Sequence, residues 1–259
     1  MNTRIQREKD FHDRRFSNPE TRDKTVNRFY EITKSINSAY QDFLFRNCKE
    51  SKVIEYGCGT ESHAFALADR GAQLVIAIDI SPIAIEIAEA RFQAKSVKAN
   101  LAFKVMDAED LEFDESSIDL ILGSGILHHL DIEKSLNSMI RVLRPSGKAI
   151  FIEPMGHNLF INLFRKLTPN IRSKDEHPLL NNDLMLLGKY FKSVEVKYFY
   201  LTSILASLFV GYPCFQIILG YLEYLDGLLF KIPLLRYQAW QVLIVLSEPI
   251  KSCIDEKST

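Results

Sequence analysis

Two glycines and two carboxylates are the first residues in this chain whose types and spacing suggest chemistry. Gly57 and Gly59 stand two apart in V-I-E-Y-G-C-G-T (residues 53–60), directly after an apolar run. Glycines at such a turn let the backbone reverse tightly and let a ligand approach with no Cβ in the way. A helix read over residues 61–70 would point its positive end and unpaired N–H groups at that spot, making a cradle for a nucleotide or an anionic carboxylate. Asp79 closes the next apolar run, residues 73–80, about 20 residues after the glycines, where nucleotide-binding α/β folds place a carboxylate on ribose hydroxyls. Asp107 ends a third such run and stands where open α/β sheets bind ligands.

The elements that must position these residues follow from the alternation of apolar runs and amphipathic stretches. Strands are expected at 53–56, 73–80, 101–105, 117–123, 148–153, 193–200 and 239–246, with helices at 82–95, 132–143 and 181–190 between them. Ser81-Pro82 is a helix start. Residues 144–147, R-P-S-G, break the helix before the fifth strand. The fold class expected is α/β: a Rossmann-like, doubly wound, seven-stranded, mostly parallel sheet with helices on both faces. An N-terminal helical arm precedes it, and a hydrophobic helical insertion comes before the last strand.

Size and composition bound the rest. The chain has 259 residues and a net charge of −1, with no basic stripe, which argues against a nucleic-acid partner. Cys48, Cys58, Cys214 and Cys253 lack metal-ligand spacing and read as reduced thiols of a cytoplasmic protein; no metal site is expected. The charged N-terminus has no apolar core of a signal peptide. Residues 1–23 read either as a solvated arm or as a lid that orders over a ligand, and residues 25–47 as a helix covering the sheet or the site. The organisation expected is an arm and covering helix (1–47), a ligand-binding core (48–200), a hydrophobic insertion (201–238), and a last strand with its tail (239–259). Residues 198–222 carry no charge in 25 positions. They fit a greasy lid or acceptor pocket, or a surface for peripheral membrane or homodimer contact through 199–235, better than a spanning helix interrupted by Gly211 and Pro213.

The ordered set V-I-E-Y-G-C-G-T, V-I-A-I-D-I-S-P, M-D-A-E-D-L, S-I-D-L-I-L-G-S-G-I-L-H-H-L and R-V-L-R-P-S-G-K-A-I-F-I-E-P resembles the class I S-adenosylmethionine-dependent methyltransferases. Within them it is similar to the branch of the ubiquinone and menaquinone C-methyltransferases. The resemblance covers roughly residues 50–155. It implies S-adenosyl-L-methionine as cofactor, S-adenosyl-L-homocysteine as product, and a small, hydrophobic acceptor. It also implies roles: Glu55, Gly57, Cys58 and Gly59 against the methionine part, Asp79 on the ribose with Ile80 beside the adenine, Asp107 and Ala108 as the adenine-binding pair, and Gly123 with Ser124 near the sulfonium. One departure is Glu61, where the family has a third glycine; a carboxylate there suits the helix dipole and repels the methionine carboxylate. Base candidates for acceptors that must lose a proton are His128, His157 and His177, with His129 ranked below them. The rivals are a nicotinamide dehydrogenase, whose fingerprint wants glycine at Ser62, and a non-catalytic binding protein on the same fold.

Overall fold

The computed structural model describes residues 3–17, 29–93, 100–168, 173 and 175–251. Its centre is one seven-stranded sheet: β1 (Lys52–Tyr56), β2 (Leu74–Asp79), β3 (Leu101–Val105), β4 (Ile118–Ser124), β5 (Leu143–Pro154), β6 (Phe191–Phe199) and β7 (Gln241–Pro249), in the order β3-β2-β1-β4-β5-β7-β6. The first five pair in parallel, and β7 runs antiparallel between β5 and β6. The order reverses between β1 and β4, which opens the crevice at their carboxyl ends where such sheets bind ligands.

Burial on both faces explains why the central strands read as continuous apolar runs rather than alternating ones. Ile54 and Tyr56 of β1 point into one core with Leu136, Met139 and Ile140 of α5 (Ile132–Val142). Val53 of the same strand points into the other, with Ile36, Tyr40 and Leu44 of α2 (Lys34–Asn47) and Leu67 of α3 (Ala64–Asp69). α4 (Pro82–Gln93) follows β2, α6 (Leu159–Leu167) follows β5, and α7 (Asn181–Tyr190) precedes β6.

Several boundaries differ from expectation, each for a local reason. α2 starts at Lys34 after a turn closed by the Thr33 N–H on the Tyr30 carbonyl, while residues 25–28 lie outside the described residues. α3 starts three residues late because side chains hold residues 62–64 in a capped turn. The R-P-S-G segment does end α5, but β5 already begins at Leu143 opposite Ile118, and the register shifts before Lys148 pairs with Leu120.

The insertion is a short 3-10 helix (Ser203–Phe209), α8 (Phe215–Leu229) and α9 (Pro233–Arg236). Asp226 of α8 fixes its entry by accepting the N–H groups of Leu201, Thr202 and Ser203 at 3.0, 2.6 and 3.2 Å. Among the described residues, no helix is long and apolar enough to cross a membrane.

Residues 3–17 form a 15-residue helix, α1 (Thr3–Ser17), lying against α4 at the carboxyl end of the sheet.

Candidate functional site

Both turn glycines adopt backbone conformations that side chains resist. Gly57 has φ +58° and Gly59 φ +53°, and a Cβ on Gly57 would sit 2.9 Å from Ile126 Cδ1. The turn is tied to the end of β2. Cys58 N–H donates to the Ile78 carbonyl (3.0 Å) and Gly59 N–H to Asp79 Oδ2 (2.9 Å), while Asp79 Oδ1 accepts the Ser81 N–H (2.9 Å). Burial pushes the Asp79 carboxyl above its ordinary pKa, against the pull of these two bonds.

The expected anion-binding end of the following helix is already filled. Glu55 accepts the N–H groups of His63 (2.9 Å) and Ala64 (3.2 Å) as well as the Ser62 hydroxyl, so this carboxylate caps α3 from inside the fold. With burial dominating, Glu55 is pushed up to about 7. Glu61 is exposed at the cavity rim, ahead of α3 rather than at its first turn.

The remaining residues implied by the resemblance divide. Ile80, Asp107, Ala108 and Ser124 line the same cavity as Glu55, Gly57, Cys58, Gly59 and Asp79. Asp107 Oδ1 accepts the Glu109 N–H at 2.9 Å, which shapes the turn after β3. Gly123 does not line the cavity. A Cβ there would fall 2.7 Å from Ile126 Cγ2 and 2.9 Å from Phe151 Cδ1, so its role is to let Ile126 pack back against the sheet.

Of the histidines, His128 is in the cavity and oriented. Its Nδ1 lies 2.7 Å from Glu153 Oε2, and Glu153 Oε1 accepts the N–H groups of Ile126 (2.9 Å) and Leu127 (2.8 Å). Glu153 is fully buried, and accepting three bonds makes Nδ1 the donor and leaves Nε2 to take a proton. Sequence reasoning passed over Glu153; its signal was an acidic residue at the carboxyl end of an otherwise apolar strand. His129 also lines the cavity, with its ring centroid 4.2 Å from that of His128. His157 and His177 lie elsewhere. His157 Nε2 accepts the Asn181 N–H (3.4 Å) at the start of α7, and His177 is exposed, tied through its backbone N–H to the His128 carbonyl (3.0 Å).

α1 roofs the site. Arg4 donates to the His129 carbonyl (2.6 Å) and pairs with Glu109, Asp13 Oδ1 accepts the Ser81 hydroxyl (2.5 Å), and Arg7 makes two 2.7 Å bonds to Asp175. Phe16 comes within 3.5 Å of where a Gly59 Cβ would stand. On the β5 side the wall is aromatic: Phe29 lies 5.1 Å from Phe164 and 6.1 Å from Trp240, and Tyr30 lies 6.2 Å from Trp240. The cavity, partly open at its mouth, has a volume of about 1620 Å³, above the roughly 300–1,000 Å³ of a pocket for one drug-sized ligand. A polar subsite at β1–β3 thus adjoins an apolar one at β5–α6, with an oriented imidazole between.

Comparison with known proteins gives a match to the family model described as methyltransferase domain over residues 53–147. The ubiquinone/menaquinone biosynthesis C-methyltransferase UbiE of Idiomarina loihiensis is 30% identical over 105 residues, 39% of this chain and 42% of that protein. The demethylmenaquinone methyltransferase of Staphylococcus carnosus is 29% identical over 191 residues, 63% of this chain and 76% of that protein. The chain therefore spans less than half the length of the first relative and about three quarters of the second. Among solved structures, the Haemonchus contortus phosphoethanolamine N-methyltransferase 2, in complex with phosphomonomethylethanolamine and S-adenosylhomocysteine, shares the fold with a TM-score of 0.63 at 16% identity, over 93% of this chain and 60% of that one. Sheet order, motifs and relatives agree that residues 53–147 match the methyltransferase-domain family and that the chain is similar to the ubiquinone and menaquinone C-methyltransferases.

Proposed function

We propose that the chain transfers a methyl group from S-adenosyl-L-methionine to an O, N or C atom of a small hydrophobic acceptor carrying an aromatic or quinone-like ring. The observation that carries this reading is the single cavity joining the Gly57–Gly59 turn and Asp79 to His128–Glu153 and the aromatic wall. Glu55 and Asp79 are buried carboxylates that burial makes reluctant to ionise, and Asp79 raises the cost of charging Glu55 further. A ligand bearing a sulfonium and an ammonium relieves that cost. A nucleotide pyrophosphate would need the α3 N–H groups that Glu55 occupies, which disfavours the dehydrogenase reading.

Asp79 would take the ribose hydroxyls, Ile80, Asp107 and Ala108 the adenine, and the turn residues and Ser124 the amino-acid end. The cofactor supplies an activated methyl, lost to the acceptor as the C–S bond breaks toward sulfur. The chain's own contribution is to align the acceptor on the ring wall and to accept its proton at His128 Nε2. α1 excludes water from the cavity mouth.

The acceptor reading extends to the surface. A small apolar pocket lined by Phe160, Ile161, Phe164, Ile204, Leu205 and Leu208 adjoins the cavity through Phe29, Ile161 and Phe164. Around it Leu159, Phe160, Leu163, Leu167, Leu208, Ile217 and Tyr221 are largely exposed. A lipid surface is the covering that best fits this face, with Arg165 and Lys166 ending α6 beside it.

The test is transfer of labelled methyl from S-adenosylmethionine to hydroxylated aromatic acceptors with and without alkyl tails. Label in the organic extract, favoured by the tail, supports the reading. Transfer only to polar acceptors, or to none in the presence of bound cofactor, overturns it.

A further inference from the structure

We propose that Glu8, His12 and His129 form a binding site for a divalent transition metal of the zinc class, set between α1 and the loop after β4. Glu8 and His12 are one helical turn apart on α1 and share a face. Glu8 Oε2 lies 3.1 Å from His129 Nδ1 and 3.6 Å from His12 Nε2, and the three ligand atoms all fall within 4.8 Å of one another. Two donors bound to one zinc ion at about 2.1 Å in tetrahedral geometry stand about 3.4 Å apart. The cluster has the spacing of a ligand set.

A second, independent observation points to a ligand. Glu8 Oε2 and His129 Nδ1 are buried and face each other as an ion pair at 3.1 Å, in a geometry that does not meet hydrogen-bond criteria for either atom. Buried polar atoms ordinarily find partners. An ion held by both would satisfy each lone pair at once.

The surroundings fit. Glu8 Oε2 faces His12 and His129 together from α1. Its other oxygen, Oε1, accepts the Ser173 hydroxyl at 2.5 Å, an outer contact of the kind that fixes ligating carboxylates. His12 stacks on Phe16, which restrains its ring. His128, His129 and Glu176 also bring ligand atoms within 4.8 Å, but His128 already gives Nδ1 to Glu153, so the Glu8 set is the one assigned.

Two imidazoles and one carboxylate suit Zn²⁺, Co²⁺ or Fe²⁺ rather than Mg²⁺ or Ca²⁺, which prefer all-oxygen shells. Three protein ligands leave a position open, and all three residues line the cavity. The ion would pin α1 over the site and present a Lewis acid to an acceptor oxygen. The assignment rests on side-chain geometry alone and stands or falls apart from methyl transfer.

The experiment is calorimetric titration of the chelator-stripped full chain with Zn²⁺, repeated with Co²⁺ while following visible absorption. One equivalent should bind saturably, and Glu8→Gln and His12→Gln should each weaken binding by on the order of 100-fold or more, exceeding the cost of an outer-shell change. The Co²⁺ bands should be lost in both variants. His157→Gln, outside the cavity, should bind as the parent does, and circular dichroism should show all three variants folded. Absence of saturable Zn²⁺ binding by the parent chain, or full affinity in both α1 variants, overturns the proposal.

Discussion

His128 and Glu153 make the residue-scale case. If His128 takes the acceptor proton, His128→Gln lowers the methyl-transfer rate by about 10²–10⁴-fold while S-adenosylhomocysteine affinity stays within about threefold, read by steady-state kinetics beside calorimetry. Glu153→Gln removes the charge that orients the imidazole and lowers the rate in the same direction. An unchanged rate in His128→Gln would show that alignment alone suffices. Glu55 carries a separate prediction. Its folded pKa of about 7 lies above the ordinary 4.5, so the folded state binds the proton more tightly than the unfolded chain. The stability this contributes is fully present below pH 4.5 and is lost as pH rises through about 7, an effect on the order of 3 kcal/mol. Glu55→Gln should flatten that part of the pH–stability curve in denaturant melts; equal slopes for variant and parent would contradict the burial argument. The glycines and Asp79 were legible because turn geometry and spacing constrain them locally. Gly123 leaves room for Ile126 and Phe151 to pack, and a packing glycine looks the same in sequence as a ligand-facing one. His157 and His177 are not among the residues lining the cavity, and a position just after a strand does not say which way the loop then turns.

At the scale of elements, α1 is the part least visible in the sequence. Its polar composition suits a solvated arm equally well, and its partners lie far away in the chain: Arg4 with Glu109, Arg7 with Asp175. One sequence cannot pair charges across more than 100 positions. The alternating strands and helices of the core were legible because burial on both faces leaves long apolar runs. α3 was drawn too long because a cap supplied by Glu55, from the strand before, has no local signature. α1 contributes no apolar residue to either core. Deleting residues 1–17 should therefore leave the melting transition nearly unchanged while weakening S-adenosylhomocysteine binding by about tenfold, or about 1.4 kcal/mol. Equal affinity with and without the segment would show that α1 is no roof.

The whole molecule presents a polar cofactor side and an apolar face built from α6 and the insertion. The uncharged stretch was legible as apolar, but whether it folds over the sheet depended on long-range contacts such as Asp226 with residues 201–203. The double substitution Leu163→Glu and Leu208→Glu should abolish co-sedimentation with anionic lipid vesicles without changing the melting temperature, each leucine otherwise contributing about 1.5–3 kcal/mol when withdrawn from water. A parent chain that ignores vesicles but dimerises in sedimentation would assign the face to a second copy instead. The central claim is that the crevice between β1 and β4 holds S-adenosylmethionine, and calorimetric titration with S-adenosylhomocysteine tests it most directly. The parent chain should bind saturably, Asp79→Ala should bind more weakly by about 1–3 kcal/mol, and NAD should give no heat. Binding of NAD in place of S-adenosylhomocysteine, or equal affinity in Asp79→Ala, would contradict it.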